Sequence, residues 1–82
     1  MVNKRMFSLN VVDTDKFLDM PLSAQALYFH LGLRADYDGF IASSSKIMKI
    51  VGCKPDDLKI LISKEFVIPL ETGVKVIRQE EN

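Results

Sequence analysis

The sequence predicts a single, mainly α-helical α+β domain in which several helices are followed by a β-hairpin. Apolar residues recur at helical spacing over residues 24–35, and two further apolar segments meet at a break marked by Gly52 and Pro55. Two β-branched segments are then joined by a tight turn near Thr72. The chain has 82 residues, of which 48% are hydrophobic and 27% charged, and this is enough for one core but not for two.

The first predicted elements are a short helix and a longer one. An Asp-Thr-Asp sequence at 13–15 predicts the start of the short helix, which Pro21 stops. Ser23 is the predicted N-cap of the longer helix, which covers Ala24–Ala35.

The longer helix is apolar on two opposite sides, and the second side consists of Ala26, Phe29 and Leu33. A helix of this kind must be covered twice. The second side is covered either by the apolar residues of the short helix, which are Phe17, Leu18 and Met20, or by another subunit.

A turn and a helix pair follow. Asp36–Gly39 predicts a turn that leads into a short strand, Phe40–Ala42. Ser43–Ser45 offers N-caps for the next helix, which Gly52 ends. Pro55 fits the first position of the following helix, because its missing N–H is no loss there.

The last element is a β-hairpin. Phe66–Leu70 and Val74–Arg78 predict its strands, and Pro69 is predicted at a sheet edge or bulge because it lacks an N–H. This element order is that of a winged helix-turn-helix, with a three-helix core, a short N-terminal helix and a C-terminal hairpin wing. The predicted organisation is an N-terminal extension over 1–22, the core over 23–78 and an acidic tail over 79–82.

Positive charge is concentrated in the helix-turn-helix and the wing. Residues 43–78 carry seven Lys and Arg against four Asp and Glu, a net charge of +3 in a chain that is neutral overall. We therefore predict weak, largely sequence-independent binding of double-stranded DNA through its phosphates. The predicted DNA-binding residues are Ser45, Lys46, Lys49, Lys54, Lys59, Ser63, Lys64, Lys75 and Arg78.

The second helix of the pair has a poor composition for base readout. A helical wheel with its leucines inward places Asp56, Ile60 and Ser63 on the outward face, and a carboxylate there repels phosphate. Asp56 and Asp57 are better explained as first-turn carboxylates, which offset the helix macrodipole and accept hydrogen bonds from free N–H groups.

Two other functions compete with DNA binding. One is a protein-interaction module that forms homo-oligomers without contacting DNA, and its predicted contacts are Met6, Phe7, Phe29, Leu33 and Ile60. In this hypothesis the segment at residues 6–7 forms a short strand that pairs with a neighbouring subunit's sheet edge. The other is a small winged-helix transcriptional regulator.

Catalysis, metal binding and membrane insertion are not predicted. His30 and Cys53 are the only histidine and cysteine, so the sequence offers no metal-ligand spacing. Cys53 is expected to be a small buried residue after the turn rather than a nucleophile. The four glycines form no phosphate-binding loop, and we predict no cofactor. No apolar stretch reaches membrane-spanning or signal-peptide length, so a cytoplasmic location is expected.

Several segments also resemble the N-terminal domain of phage replisome-organiser proteins of the DnaD-like type. They are "RMFS", "DTDKFLDMPLSAQALYFHLGLRADYDGFI" and "DDLKILISKEFVIPLETGVKVI", and the resemblance covers roughly residues 4–78. It implies a winged-helix module, phage- or prophage-encoded, that acts in replication initiation, contacts DNA, self-associates and meets other replisome proteins. Family members usually continue into a basic segment and further domains, whereas this sequence stops at Asn82.

Overall fold

The computed structural model describes residues 6–79, which form five helices and one three-stranded antiparallel sheet. The helices are α1 (Leu9–Val12), α2 (Asp15–Leu18), α3 (Leu22–Arg34), α4 (Ser44–Val51) and α5 (Pro55–Ser63). The strands are β1 (Phe40–Ile41), β2 (Val67–Leu70) and β3 (Gly73–Val76). The predicted α+β class is confirmed. The predicted acidic tail lies outside the described residues, apart from Gln79.

The N-terminal part contains two short helices where the sequence predicts one. Ser8 caps α1, since its Oγ accepts a hydrogen bond from the Asn10 N–H at 3.1 Å. Thr14 caps α2 in the same way, accepting from the Phe17 N–H at 3.2 Å. Such caps satisfy backbone donors that a helix start leaves free. Residues 6–7 form no strand within the chain, and the pairing of this segment with a neighbouring subunit stays a prediction.

Helix α3 is the central element of the core. It begins directly after Pro21, and the predicted capping role of Ser23 is wrong. The Ser23 hydroxyl instead donates to the Asp57 carboxylate at 2.7 Å, which ties the start of α3 to α5. Three side chains on its inner side, Leu27, Tyr28 and Leu31, have no exposed surface.

Aromatic rings join the N-terminal segment, α2 and α3. Phe17 packs edge-on against Tyr28, Phe29 and Phe66, with ring centroids 5.0, 5.7 and 5.2 Å apart. Phe7 packs against Tyr28 and Phe29 at 5.6 and 5.2 Å. Edge-to-face geometry is the favourable arrangement for such rings, and the cluster holds the N-terminal segment on the core.

The predicted cover of the second apolar side of α3 by the N-terminal part of the chain is right in part, and cover by another subunit stays a prediction. Phe17 and Phe7 cover Phe29, which is half-buried. Leu18, which was expected to help, is itself 53% exposed. Ala26 and Leu33 face solvent. Side chains of the same chain therefore cover Phe29 but not Leu33.

The strand predictions are confirmed, and β1 joins as a third strand. β2 and β3 pair antiparallel from Val67↔Val76 to Leu70↔Gly73, and β3 ends two residues before the predicted Arg78. The strand order is β1-β3-β2, so Pro69 lies on an edge strand as predicted. The sheet packs its inner face on α3 through residues that include Ile41, Val74 and Val76.

The break between α4 and α5 also follows the prediction. Gly52 ends α4 in the left-handed conformation, with φ of 87°, and glycine adopts this conformation without steric cost. Pro55 is the first residue of α5. α4 and α5 both pack against α3, so their outer faces lie on the molecular surface.

Candidate nucleic-acid interface

Arg78 is the predicted DNA contact that the structure corrects most strongly. Its side chain is only 8% exposed. The guanidinium group donates to the carbonyl oxygen of Gly32 at 2.8 Å and to those of Asp36 and Tyr37 at 2.6 and 3.0 Å. These three bonds hold the guanidinium group inside the protein, so Arg78 does not belong to a phosphate-binding surface.

Helix α5 is rotated relative to the predicted orientation. Asp57 faces inward beside Leu61 and is 6% exposed. Ile60, predicted on the outward face, is half-buried against the core, so its predicted role in self-association is not supported. Asp56, Lys59 and Ser63 are exposed and form the outer stripe, because residues three and four apart lie on one helix face.

Asp57 explains the rotation. One carboxylate oxygen accepts from the Ser23 hydroxyl at 2.7 Å, and the other accepts from the Lys54 N–H at 3.1 Å. The second bond satisfies a free donor at the helix start, as predicted for a first-turn carboxylate. The first bond crosses to α3 and could not be foreseen from local sequence.

We expect Asp57→Ala to lower the free energy of unfolding by about 2 kcal/mol, because it leaves two part-buried donors without their acceptor. Asp56→Ala is the matched control, since it removes an exposed carboxylate from the same turn and costs about 0.5 kcal/mol through the macrodipole alone. Urea unfolding followed by circular dichroism compares the two variants. Equal losses would contradict the role given to Asp57.

Helix α4 presents two lysines side by side. Lys46 and Lys49 are exposed and three residues apart, which makes them neighbours on the outer face. Ile47 and Met48 face the core, and the exposed Ser45 lies beside the two lysines at the start of the helix. Within residues 6–79 neither ammonium group forms an ion pair.

The predicted DNA contacts on and next to α5 differ in how accessible their side chains are to a phosphate. Lys59 is exposed and unpaired within the described part of the chain, and Lys54 is exposed in the turn before the helix. The Ser63 hydroxyl donates to the Ile60 carbonyl at 2.9 Å, so its proton is already used. Lys64 is half-buried, and its Nζ donates to the Lys16 carbonyl at 3.4 Å. Lys59 is therefore the most available cation of α5.

The hairpin is more apolar on its surface than the sequence predicts. Lys75 lies between Phe40 and Ile68 on the outer sheet face and is half-buried. Ile68 and Leu70 are 39% and 46% exposed on the edge strand. Because Arg78 is buried, Lys75 is the one predicted cationic DNA contact that remains on the β2–β3 hairpin.

The predicted self-association residues fall into two groups. Phe7 and Phe29 are half-buried against each other and the core, so their contacts are intramolecular. Met6 and Leu33 are 67% and 54% exposed. Strongly exposed apolar side chains outside the predicted set include Leu9, Leu22, Tyr37 and Ile50, at 72%, 81%, 92% and 68%.

Two groups have shifted pKa values. Burial raises the pKa of Tyr28 above its ordinary value, and the positive charge of Arg78 partly offsets the rise. The neutral Tyr28 hydroxyl donates to the Ile77 carbonyl at 2.6 Å. Burial and then the Asp57 carboxylate raise the pKa of the Cys53 thiol, which favours the protonated and less nucleophilic form.

Neither a metal centre nor a membrane span is found in the described residues. Within 6–79, no group of three or more His, Cys, Asp or Glu side chains could hold a metal ion. None of the helices in that range is both long and apolar enough to cross a membrane.

Comparison of the chain with protein families, with curated proteins and with solved structures finds no match.

Proposed function

We propose that this chain is a winged-helix domain that binds double-stranded DNA weakly through phosphate contacts. The observation that carries the proposal is the set of exposed lysines on the outer faces of α4 and α5 and in the turn between them: Lys46, Lys49, Lys54 and Lys59. A lysine ammonium is a compact point charge that suits a phosphate. The element order, with a helix pair followed by a hairpin, supports the winged-helix interpretation.

The binding is weak and largely indifferent to sequence. The outer stripe of α5 combines Lys59 with Asp56, and the carboxylate opposes a phosphate at the same place. Base readout needs Arg, Asn, Gln or Lys directed at base edges, and Lys59 is the one such residue on that stripe. Affinity therefore depends on backbone charge rather than on base contacts.

Fluorescence anisotropy with a labelled duplex, repeated across salt concentrations, tests the proposal. Four phosphate contacts predict a plot of log affinity against log salt with a slope of about −3 to −4. Two unrelated duplexes should bind within a few-fold of each other. Failure to bind any duplex at about 50 mM salt, a concentration low enough to favour phosphate contacts, would overturn the proposal.

The replicative role rests on the resemblance to phage replisome organisers. In that role a weak grip on DNA becomes useful when several copies act together, because linked sites raise the effective concentration of each other. A small transcriptional regulator is the alternative that the same fold supports. A strong preference for one short operator in the binding assay would favour the regulator over the replisome organiser.

A protein-interaction module is the second candidate function. It is favoured by the exposed apolar side chains near the N-terminal segment and the end of α3, namely Met6, Leu9, Leu33 and Tyr37. Large apolar side chains at a surface are a feature of interaction sites when they are grouped together. The two candidates use different side chains and are compatible in one molecule.

A further inference from the structure

The first turn of α5 carries two carboxylates, and only one of them is engaged inside the protein. Asp57 accepts hydrogen bonds from the Ser23 hydroxyl and the Lys54 N–H. Asp56 is exposed, and within residues 6–79 its carboxylate accepts no hydrogen bond and forms no ion pair. Both oxygens of the Asp56 carboxylate are therefore available to a ligand.

The backbone that carries Asp56 is fixed on both sides. Pro55 restricts φ at the first position of the helix. On the other side, the two hydrogen bonds of Asp57 tie the backbone to α3 and to the preceding turn. A short side chain on a fixed backbone loses little conformational freedom when it binds. Asp56 is thus a preorganised acceptor on the outer face of α5.

Asp56 lies where a helix-turn-helix protein contacts bases. In such proteins the second helix enters the major groove, and its N-terminal residues reach base edges. Under the proposed function, on which this inference rests, that helix is α5. Asp56 is its second residue and begins the outer stripe that Lys59 and Ser63 continue. In a complex of this kind the Asp56 carboxylate faces the bases.

The ionised carboxylate of Asp56 selects hydrogen-bond donors, because it can only accept. In the major groove the donors are the N4 amino group of cytosine and the N6 amino group of adenine. The adenine amino group lies between two acceptors, adenine N7 and thymine O4, and both repel a carboxylate. The cytosine amino group has an acceptor on one side only, which is guanine O6. A carboxylate at this position therefore favours cytosine.

Lys59 compensates for the negative charge of Asp56 at the DNA surface. It is exposed three residues later on the same helix face, and the two side chains form no ion pair with each other. Its ammonium group keeps the phosphate contact of the proposed function, and its charge offsets the repulsion between the carboxylate and the DNA backbone. The outer stripe of α5 thus presents an acceptor for a base beside a donor for a phosphate.

We propose that Asp56 is a specificity-determining residue, which accepts a hydrogen bond from the N4 amino group of a cytosine in the major groove. A single bond of this kind contributes little, so the preference for a C·G pair at that position is about two- to fivefold. The phosphate contacts still set most of the affinity, and unrelated duplexes bind within a few-fold of each other.

Two duplexes of equal length, one with only G·C pairs and one with only A·T pairs, test the inference by fluorescence anisotropy. The measured quantity is the ratio of the two affinities, and the differences in DNA shape cancel when variants of the protein are compared on the same duplexes. Asp56→Ala should lower the ratio about two- to fivefold. Asp56→Asn should lower it further, because an asparagine amide pairs with N6 and N7 of adenine.

Asp15→Asn is the matched control, since it removes an exposed carboxylate from the first turn of α2. It should leave the ratio unchanged. The inference alone is overturned if duplexes bind but Asp56→Ala keeps the ratio of the unmodified protein, or if Asp56→Asn does not fall below Asp56→Ala. If the unmodified protein binds neither duplex at about 50 mM salt, the proposed function fails and the inference fails with it.

Discussion

Arg78→Met is expected to destabilise the domain by about 3 kcal/mol, since three carbonyl groups lose a charged donor inside the protein. The contacts of Arg78 connect the end of α3, the turn before β1, the N-terminal segment and the chain after β3. For a domain of this size such a loss lowers Tm by about 15 °C. Thermal unfolding followed by circular dichroism measures the effect.

Two further substitutions test whether the loss of stability comes from the buried guanidinium group of Arg78. Arg78→Lys keeps the charge but should lose nearly as much stability. A single ammonium group cannot donate to three carbonyl groups with the planar geometry of a guanidinium group. Arg34→Met removes an exposed arginine and should change the free energy of unfolding by less than about 0.5 kcal/mol. If Arg78→Met were no worse than Arg34→Met, the buried network would contribute nothing to stability.

The same variant tests the corrected DNA surface. Below its unfolding temperature, folded Arg78→Met should bind duplex with the salt dependence of the unmodified protein, because its guanidinium is enclosed by the Gly32, Asp36 and Tyr37 carbonyls. A surface phosphate contact at this position would instead reduce the slope by about 0.9.

Gly73→Ala is the second substitution expected to have a large effect, with a loss of about 3 kcal/mol as in an overpacked core. A Cβ atom on Gly73 would overlap the Ile41 carbonyl oxygen and lie 2.9 Å from the Ala42 Cα. Both are backbone atoms and cannot rotate away. β1 must therefore move off β3, which removes a strand from the sheet.

Gly52→Ala is the control for Gly73→Ala. Gly52 has φ of 87° and open space around its Cα, so alanine meets the left-handed backbone penalty alone, about 1 kcal/mol. The predicted order of urea midpoints is therefore the unmodified protein, then Gly52→Ala, then Gly73→Ala. A Gly73→Ala variant as stable as Gly52→Ala would show that β1 adjusts without cost.

The elements that the sequence predicts well are those whose causes are local. Gly52 ends α4 because only its own backbone needs the left-handed conformation, and Pro55 begins α5 because only its own N–H is missing. The hairpin follows from two β-branched segments around Glu71-Thr72-Gly73, and Pro69 restricts β2 to an edge.

The predictions that fail depend on distant partners. Ser23 has the chemistry of an N-cap, yet its hydroxyl bonds to Asp57, 34 residues away. That bond draws Asp57 inward and turns Ile60 away from solvent. Arg78 follows an alternating strand pattern, but β3 ends at Val76, and the carbonyls that bind Arg78 come from α3 and the following turn.

The sequence therefore predicts some, but not all, of the residues of the candidate DNA surface. Lys46, Lys49 and Lys59 are placed on exposed helix faces, as a surface of this kind requires. The contribution expected from the wing is smaller, because Arg78 is buried and Ile68 is exposed beside Lys75. In the proposed function, DNA binding is therefore expected to depend on the α4–α5 helix pair more than on the hairpin.

The salt dependence of duplex binding by a variant with all three of Lys46, Lys49 and Lys59 changed to Gln tests the central claim most directly. Each phosphate contact contributes about 0.9 to the log–log slope, so the slope should fall from about −3.6 to about −1. The corresponding triple change to Arg keeps the charges and should keep the slope. An undiminished slope in the glutamine variant would contradict the claim that these helices hold the DNA.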